Sequence, residues 1–141
     1  MNILVLNTGS SSLKFQIIDT DIEKIEASED KQLAKGIIER IGSQAVLTFE
    51  VPGQPKRKES MLIKDHKEAI QQIINWITAD STSIEGISSL HDIHAIGHRT
   101  VHGGEKFNGS IAISQDVISM IEECIDLAPL HNPANLKGIY A

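Results

Sequence analysis

The chain has 141 residues, 40% of them hydrophobic and 23% charged, with a net charge of −6 and one cysteine. That is enough for one globular domain with a real core, and the acidic balance excludes a general nucleic-acid binder, which needs a basic face. A lone cysteine excludes an internal disulfide and suits a reducing cytosol; no apolar stretch reaches the ~20 residues of a membrane helix, and the start is no secretory leader.

In chain order, residues 2–6 form a continuous apolar run, as in a strand covered on both faces. Leu13, Phe15 and Ile17 alternate with Lys14, Gln16 and Ile18, which predicts a second strand. The two are close enough for a hairpin with residues 7–12 as its turn. Charged residues 21–31 predict a loop, residues 33–41 a third strand, and Ala45, Leu47, Phe49 and Val51 one face of a fourth. Pro52-Gly53 turns the chain into a fifth strand ending near Ile63, flanked by the short basic cluster Lys56-Arg57-Lys58, read as solvated.

Asp65 and Glu68 form a capping-box pattern ahead of a helix carrying Ile70, Ile73, Ile74 and Ile77. Residues 80–90, rich in Ser and Thr, predict a loop, and residues 93–101 another strand. Ser114 caps a second helix with Val117, Ile118, Ile121 and Ile125 on one stripe, where Cys124 is a small core residue. Asn132-Pro133 starts a third helix, with a capping amide and a proline in the first turn. That helix runs to residue 141 with no stop signal, which predicts the front piece of a longer chain.

The opening bend, NTGSSSLK, concentrates Asn7, Ser10, Ser11 and Ser12 around Gly9. Backbone amides of such a bend can converge on an anion and its hydroxyls can add hydrogen bonds. Gly9 allows a positive φ and close approach of a ligand. Lys14 alternates with the apolar residues and so points to the opposite face, where its ammonium could neutralise phosphate. Asn7 offers an oxygen suited to hydrated magnesium. A plain polar turn facing water is the alternative. The stretch is not a Walker A loop, because strand residues follow Lys14.

A second constellation, HRTVHGGE, spans residues 98–105. Arg99 offers a permanently charged fork for carboxylate or phosphate, and Val101, two residues on, would share its face of the strand. Arg99 in a surface salt bridge is the simpler reading. His91, His94, His98 and His102 suggest zinc, but Gly97 and the β-branched neighbours predict a strand and no cysteine accompanies them. His131, in LAPLHNPAN, precedes a helix start, where anions are favoured, or else packs in a loop.

Together, NTGSSSLK, HRTVHGGE and LAPLHNPAN, in that order, resemble the acetate kinases, and the resemblance runs the length of the chain. It implies an α/β fold: a ribonuclease-H-like, actin-like ATPase N-terminal domain with a mixed sheet flanked by helices, truncated, with residues 1–141 as the N-terminal lobe. It implies reversible transfer of the γ-phosphoryl of ATP to acetate, giving acetyl phosphate and ADP, with Mg²⁺ or Mn²⁺, in a cytoplasmic homodimer. By position, Asn7 resembles the metal-associated asparagine, Ser10 and Ser12 the hydroxyls near the phosphates, and Lys14 the lysine at the ATP phosphates. Arg99 resembles the arginine that holds the carboxylate or the phosphoryl in flight. Val101 and Leu130 resemble walls of the methyl pocket, and His131 the histidine near the transferred group. The family's catalytic aspartate falls beyond position 141, so this stretch alone is expected to be inactive. A kinase for propionate and a non-catalytic module binding a small anion or a partner chain are the alternatives. All of these roles require the hairpin and the guanidinium to meet at one crevice.

Overall fold

A computed structural model describes residues 1–101, 103, 107 and 109–141. Six strands form one mixed sheet: β1 (Asn2–Thr8), β2 (Ser12–Asp19), β3 (Lys31–Glu39), β4 (Ser43–Glu50), β5 (Arg57–Ile63) and β6 (Ala95–His98). Their order is β5-β4-β3-β2-β1-β6; the first five are an antiparallel meander, and β6 joins β1 in parallel. Four helices accompany it, α1 (Ile22–Ala27), α2 (His66–Ile77), α3 (Gln115–Glu123) and α4 (Asn132–Tyr140).

The period-2 pattern decides which face is covered. Leu13, Phe15 and Ile17 are buried on β2 while Lys14 and Gln16 are exposed. The same side of the sheet takes Leu4 and Leu6 from β1 and Ala45, Leu47 and Phe49 from β4. Against it α2 lays Ala69, Ile70, Ile73, Trp76 and Ile77. Trp76 meets Phe15 and Phe49 with ring centroids 5.8 and 4.8 Å away, and the two phenylalanines stand edge to face at 5.5 Å. Gly36 on β3 makes room for this cluster: a Cβ there would lie 2.4 Å from the Phe15 ring and 2.6 Å from the Phe49 ring.

Several expectations shift. Residues 21–31 are not all loop: Asp21 accepts from the Lys24 N–H at 2.9 Å and caps the short helix α1, a local signal that the charged composition conceals. The third strand sits two residues earlier than predicted, because Arg40 adopts φ 61° and Gly42 φ 98° to turn the chain. Asp65 caps α2 through the Glu68 N–H at 2.9 Å, but the Glu68 carboxylate returns to the Lys64 N–H, one residue before the cap. α3 ends at Glu123, and Ile125 begins a separate 3-10 turn. The capping amide of the last helix is also reassigned. His131 occupies the cap position without a side-chain bond, while Asn132 is fully buried and donates to the Ile121 and Cys124 carbonyls at 3.4 and 3.3 Å. It stitches α4 to the end of α3. Lys56 pairs with Glu50, and Arg57 with Glu59, both at 2.7 Å on the surface.

The sixth strand is shorter than residues 93–101. Its entry is fixed by a 3-10 turn at Leu90–Asp92, where the Asp92 carboxylate accepts N–H bonds from Ser88 and Ser89, both at 2.8 Å. Those bonds lower the Asp92 carboxyl from 3.8 to about 2. A carboxyl lowered on folding stabilises above its unfolded value and loses that contribution as pH falls through the folded one. The stability advantage of Asp92 over Asp92→Asn should therefore be full above pH 4 and disappear towards pH 2; urea titrations at pH 6, 4 and 2 measure it, and a constant difference would refute it.

Candidate phosphate and carboxylate site

The β1–β2 hairpin is tighter than predicted, because the ladder continues to the pair Thr8–Leu13 and leaves Gly9, Ser10 and Ser11 as the turn. Gly9 does not use a positive φ. Its lack of a side chain matters for space: a Cβ would lie 2.9 Å from the Ser12 Oγ, which folds over it. Ser10 and Ser11 are exposed at the tip.

Asn7 and Lys14 are paired across the ladder, so their side chains share the face opposite α2. They line an open cavity of about 450 Å³ with Val5, Gln16, Lys35 and Glu50. Ser12 belongs to the same side by alternation with Lys14. At the adjacent edge, the Arg99 N–H donates to the Leu6 carbonyl at 2.9 Å, one step past the pair Leu6–His98. Alternation then places Arg99 on the side of Asn7, while His98 turns toward the covered face. His98 is half-buried, and burial pushes its pKa down from the ordinary histidine value. Arg99 is exposed, has no ion-pair partner among the described residues, and lines a second groove of about 500 Å³. Ser10 borders a third cleft, with Lys64, His66 and Lys137. Asn7, Ser12, Lys14 and Arg99 thus share one face of the sheet, as a common crevice requires, with Lys14 and Arg99 lining two open grooves on it.

Two expectations about the pocket wall change. Val101 lies beyond the end of β6, so strand alternation does not place it beside Arg99. Val101 and Leu130 are 43% and 78% exposed, so neither is an enclosed wall in this structure. His131 is exposed at the start of α4. Of the other histidines, His91 is exposed and His94 accepts the Asn2 N–H through Nδ1 at 2.9 Å. His102, Gly104 and Glu105 of the second motif lie outside the described residues.

The residue that joins these parts lies on α4. Asn135, on α4 and 3% exposed, donates through Nδ2 to the Thr8 carbonyl at 2.8 Å. Its Oδ1 accepts the Val101 N–H at 3.0 Å, and its own N–H donates to the His131 carbonyl at 3.0 Å. One side chain therefore links all three sequence motifs. Gly138, one turn further on, lets α4 lie flat on β1: a Cβ there would lie 2.2 Å from the Thr8 Oγ1.

A resident magnesium ion does not fit these residues. Asn7 gives one neutral oxygen and faces Lys14, and the carboxylate in that cavity, Glu50, is paired with Lys56 and, at 3.8 Å, Lys35. Among the described residues no group of three His, Cys, Asp or Glu could hold a metal. Nor is any helix among them long and apolar enough to cross a membrane.

The model of the acetokinase family matches residues 2–141. The chain belongs to the acetokinase family. It is 50% identical over 141 residues to an acetate kinase of Solibacter usitatus, matching all of this chain and 34% of that relative. Two solved structures match 99% of the chain: an acetate kinase of Porphyromonas gingivalis (TM-score 0.88, 39% identity, 33% of that chain) and a propionate kinase of Francisella tularensis (TM-score 0.81, 34% identity, 32% of that chain). The acetokinase chain thus spans about a third of the length of the curated relatives it matches. The mixed sheet with flanking helices is the architecture shared with these kinase structures.

Proposed function

We propose that residues 1–141 are the N-terminal lobe of an acetate kinase, which transfers the γ-phosphoryl of ATP reversibly to acetate. The observation that carries this reading is the Asn135 node, which ties the serine hairpin, the segment following Arg99 and the His131 turn to one end of the sheet. Family membership and the names of the relatives support it.

The chemistry suits the side chains. Acetate is ionised at neutral pH, so its oxygen attacks phosphorus without a base; one O–P bond forms as the bond to the β,γ-bridging oxygen breaks. What the reaction needs is alignment and positive charge against the equatorial oxygens. Lys14 and the turn amides, with Ser10 and Ser12, would hold nucleotide phosphates. Arg99 would hold the carboxylate and the phosphoryl in flight, with His131 donating to it and Val101 and Leu130 flanking the methyl group. Asn7 would offer its side-chain oxygen to the magnesium brought in with the nucleotide, which would offset charge on the phosphates. Groups outside residues 1–141, including the aspartate that the resemblance implies, would complete the site in a cytoplasmic homodimer.

A propionate kinase is the second reading, favoured by the match to the Francisella structure and by the exposure of Val101 and Leu130, the two residues that would flank the alkyl group. In the full-length enzyme, ADP formation should show a higher kcat/KM for acetate than for propionate, and residues 1–141 alone should show no turnover. A reversed preference supports the second reading; phosphate binding without transfer to either acid would support a non-catalytic module.

A further inference from the structure

The hairpin turn is held from outside by donors that all take its carbonyls. Asn135 Nδ2 donates to the Thr8 carbonyl, and the Ile41 N–H donates to the Ser11 carbonyl at 2.9 Å. Between them, His66 Nε2 lies 2.7 Å from the Gly9 carbonyl, which can only accept, so the ring nitrogen is the donor. The Ser12 carbonyl is taken by the Gly9 N–H at 2.8 Å. By contrast, the N–H groups of Ser10 and Ser11 have no acceptor among the described residues and lie at the exposed tip. A phosphate approaching this turn therefore meets the amide hydrogens of Ser10 and Ser11, while the carbonyls of Thr8, Gly9, Ser11 and Ser12 are taken by donors of the protein.

We propose that His66 is a positioning residue for phosphate recognition: its Nε2–H anchors the Gly9 carbonyl and so keeps the Ser10 and Ser11 amides facing outward. Two features favour a dedicated role. His66 is buried at the first position of α2, where Asp65 already supplies the helix cap, so the ring is not needed to start the helix. Its hydrogen bond reaches across 57 residues of sequence to the hairpin turn. A donor on the core helix thus sets the orientation of a loop whose own sequence, Gly followed by three serines, is conformationally permissive.

This inference rests on the phosphate-binding reading of the hairpin. The test compares His66→Gln, which puts an amide donor near the Nε2 position, with His66→Met, of similar shape and no donor, in the full-length enzyme. Calorimetry reads the Kd for Mg·ATP, and kinetics read the KM for acetate. His66→Met should weaken Mg·ATP binding about tenfold, the loss of one well-placed hydrogen bond, with the KM for acetate within about twofold. His66→Gln should restore Mg·ATP binding to within about twofold of the wild type. If His66→Met does not fold, His66→Asn, whose shorter amide falls short of the carbonyl, takes its place. Unchanged Mg·ATP affinity in the donorless variant, or equal loss in His66→Gln, overturns the proposal. A wild type that binds Mg·ATP and phosphorylates neither acid refutes the kinase reading while the binding series still decides the anchor; a wild type that does not bind Mg·ATP overturns both.

Discussion

Asn135→Leu is expected to destabilise the chain by about 2–4 kcal/mol, a drop of about 10 °C in the unfolding midpoint. Leucine keeps the branching of the side chain but makes none of the bonds. It leaves the Thr8 carbonyl without its donor inside the protein and the Val101 N–H without its acceptor. Each buried group stranded in this way costs about 1–3 kcal/mol, and the Val101 end is closer to water and so costs less. Asn135→Asp should be nearly as damaging, because a carboxylate keeps the bond to Val101 but sets a negative charge against the Thr8 carbonyl. The check is thermal unfolding of both variants beside Asn75→Leu, an exposed amide on α2 that accepts a bond from Gln71 Nε2 at 3.0 Å. A loss below about 1 kcal/mol for Asn135→Leu would show that the node is not a main support of this end of the sheet.

Arg99→Leu is expected to lower kcat/KM for phosphoryl transfer in the full-length enzyme by about 10²–10³, the usual loss when a preorganised donor to a charged transition state is removed. Stability should change by no more than about 0.5 kcal/mol, since Arg99 is exposed and has no ion pair to lose among the described residues. Arg99→Lys should recover only part of the rate, because an ammonium keeps the charge and loses the two-pronged geometry. Steady-state ADP release and thermal unfolding, measured together, separate this from misfolding. Activity within tenfold of the wild type would remove Arg99 from the reacting centre.

The sheet was largely legible because β2 and β4 follow the period-2 rule, and one buried face leaves little freedom of register; β1 is apolar from Ile3 to Leu6 yet covered on one face only, with Val5 lining the open cavity, and β3 buries the adjacent Leu33 and Ala34 beside a bulge. The ends of elements were less so. α1 hides in a charged segment, since its cap is a single Asp21 and it buries no residue. β6 stops at His98 although β-branched residues continue to Val101, because the chain past Arg99 leaves the ladder to meet α4. The hairpin and Arg99 stand out as candidates from their residue types. Asn135 and His66 could not, because each acts through a bond to backbone 127 or 57 residues away. A signal for Asn135 was present all the same. Two amides and a glycine occupy positions 132, 135 and 138, one face of a helix on which leucines would be expected. Such a face fits close backbone contact better than an apolar core.

The glycine on that face has a mechanical consequence. With no atom to spare between Gly138 and Thr8, α4 cannot slide or roll along β1, as packed helices do in shear motions. The hairpin at the end of β1 and the first turn of α4 therefore travel as one rigid body. Any hinge in this part of the chain must lie elsewhere than between these two elements.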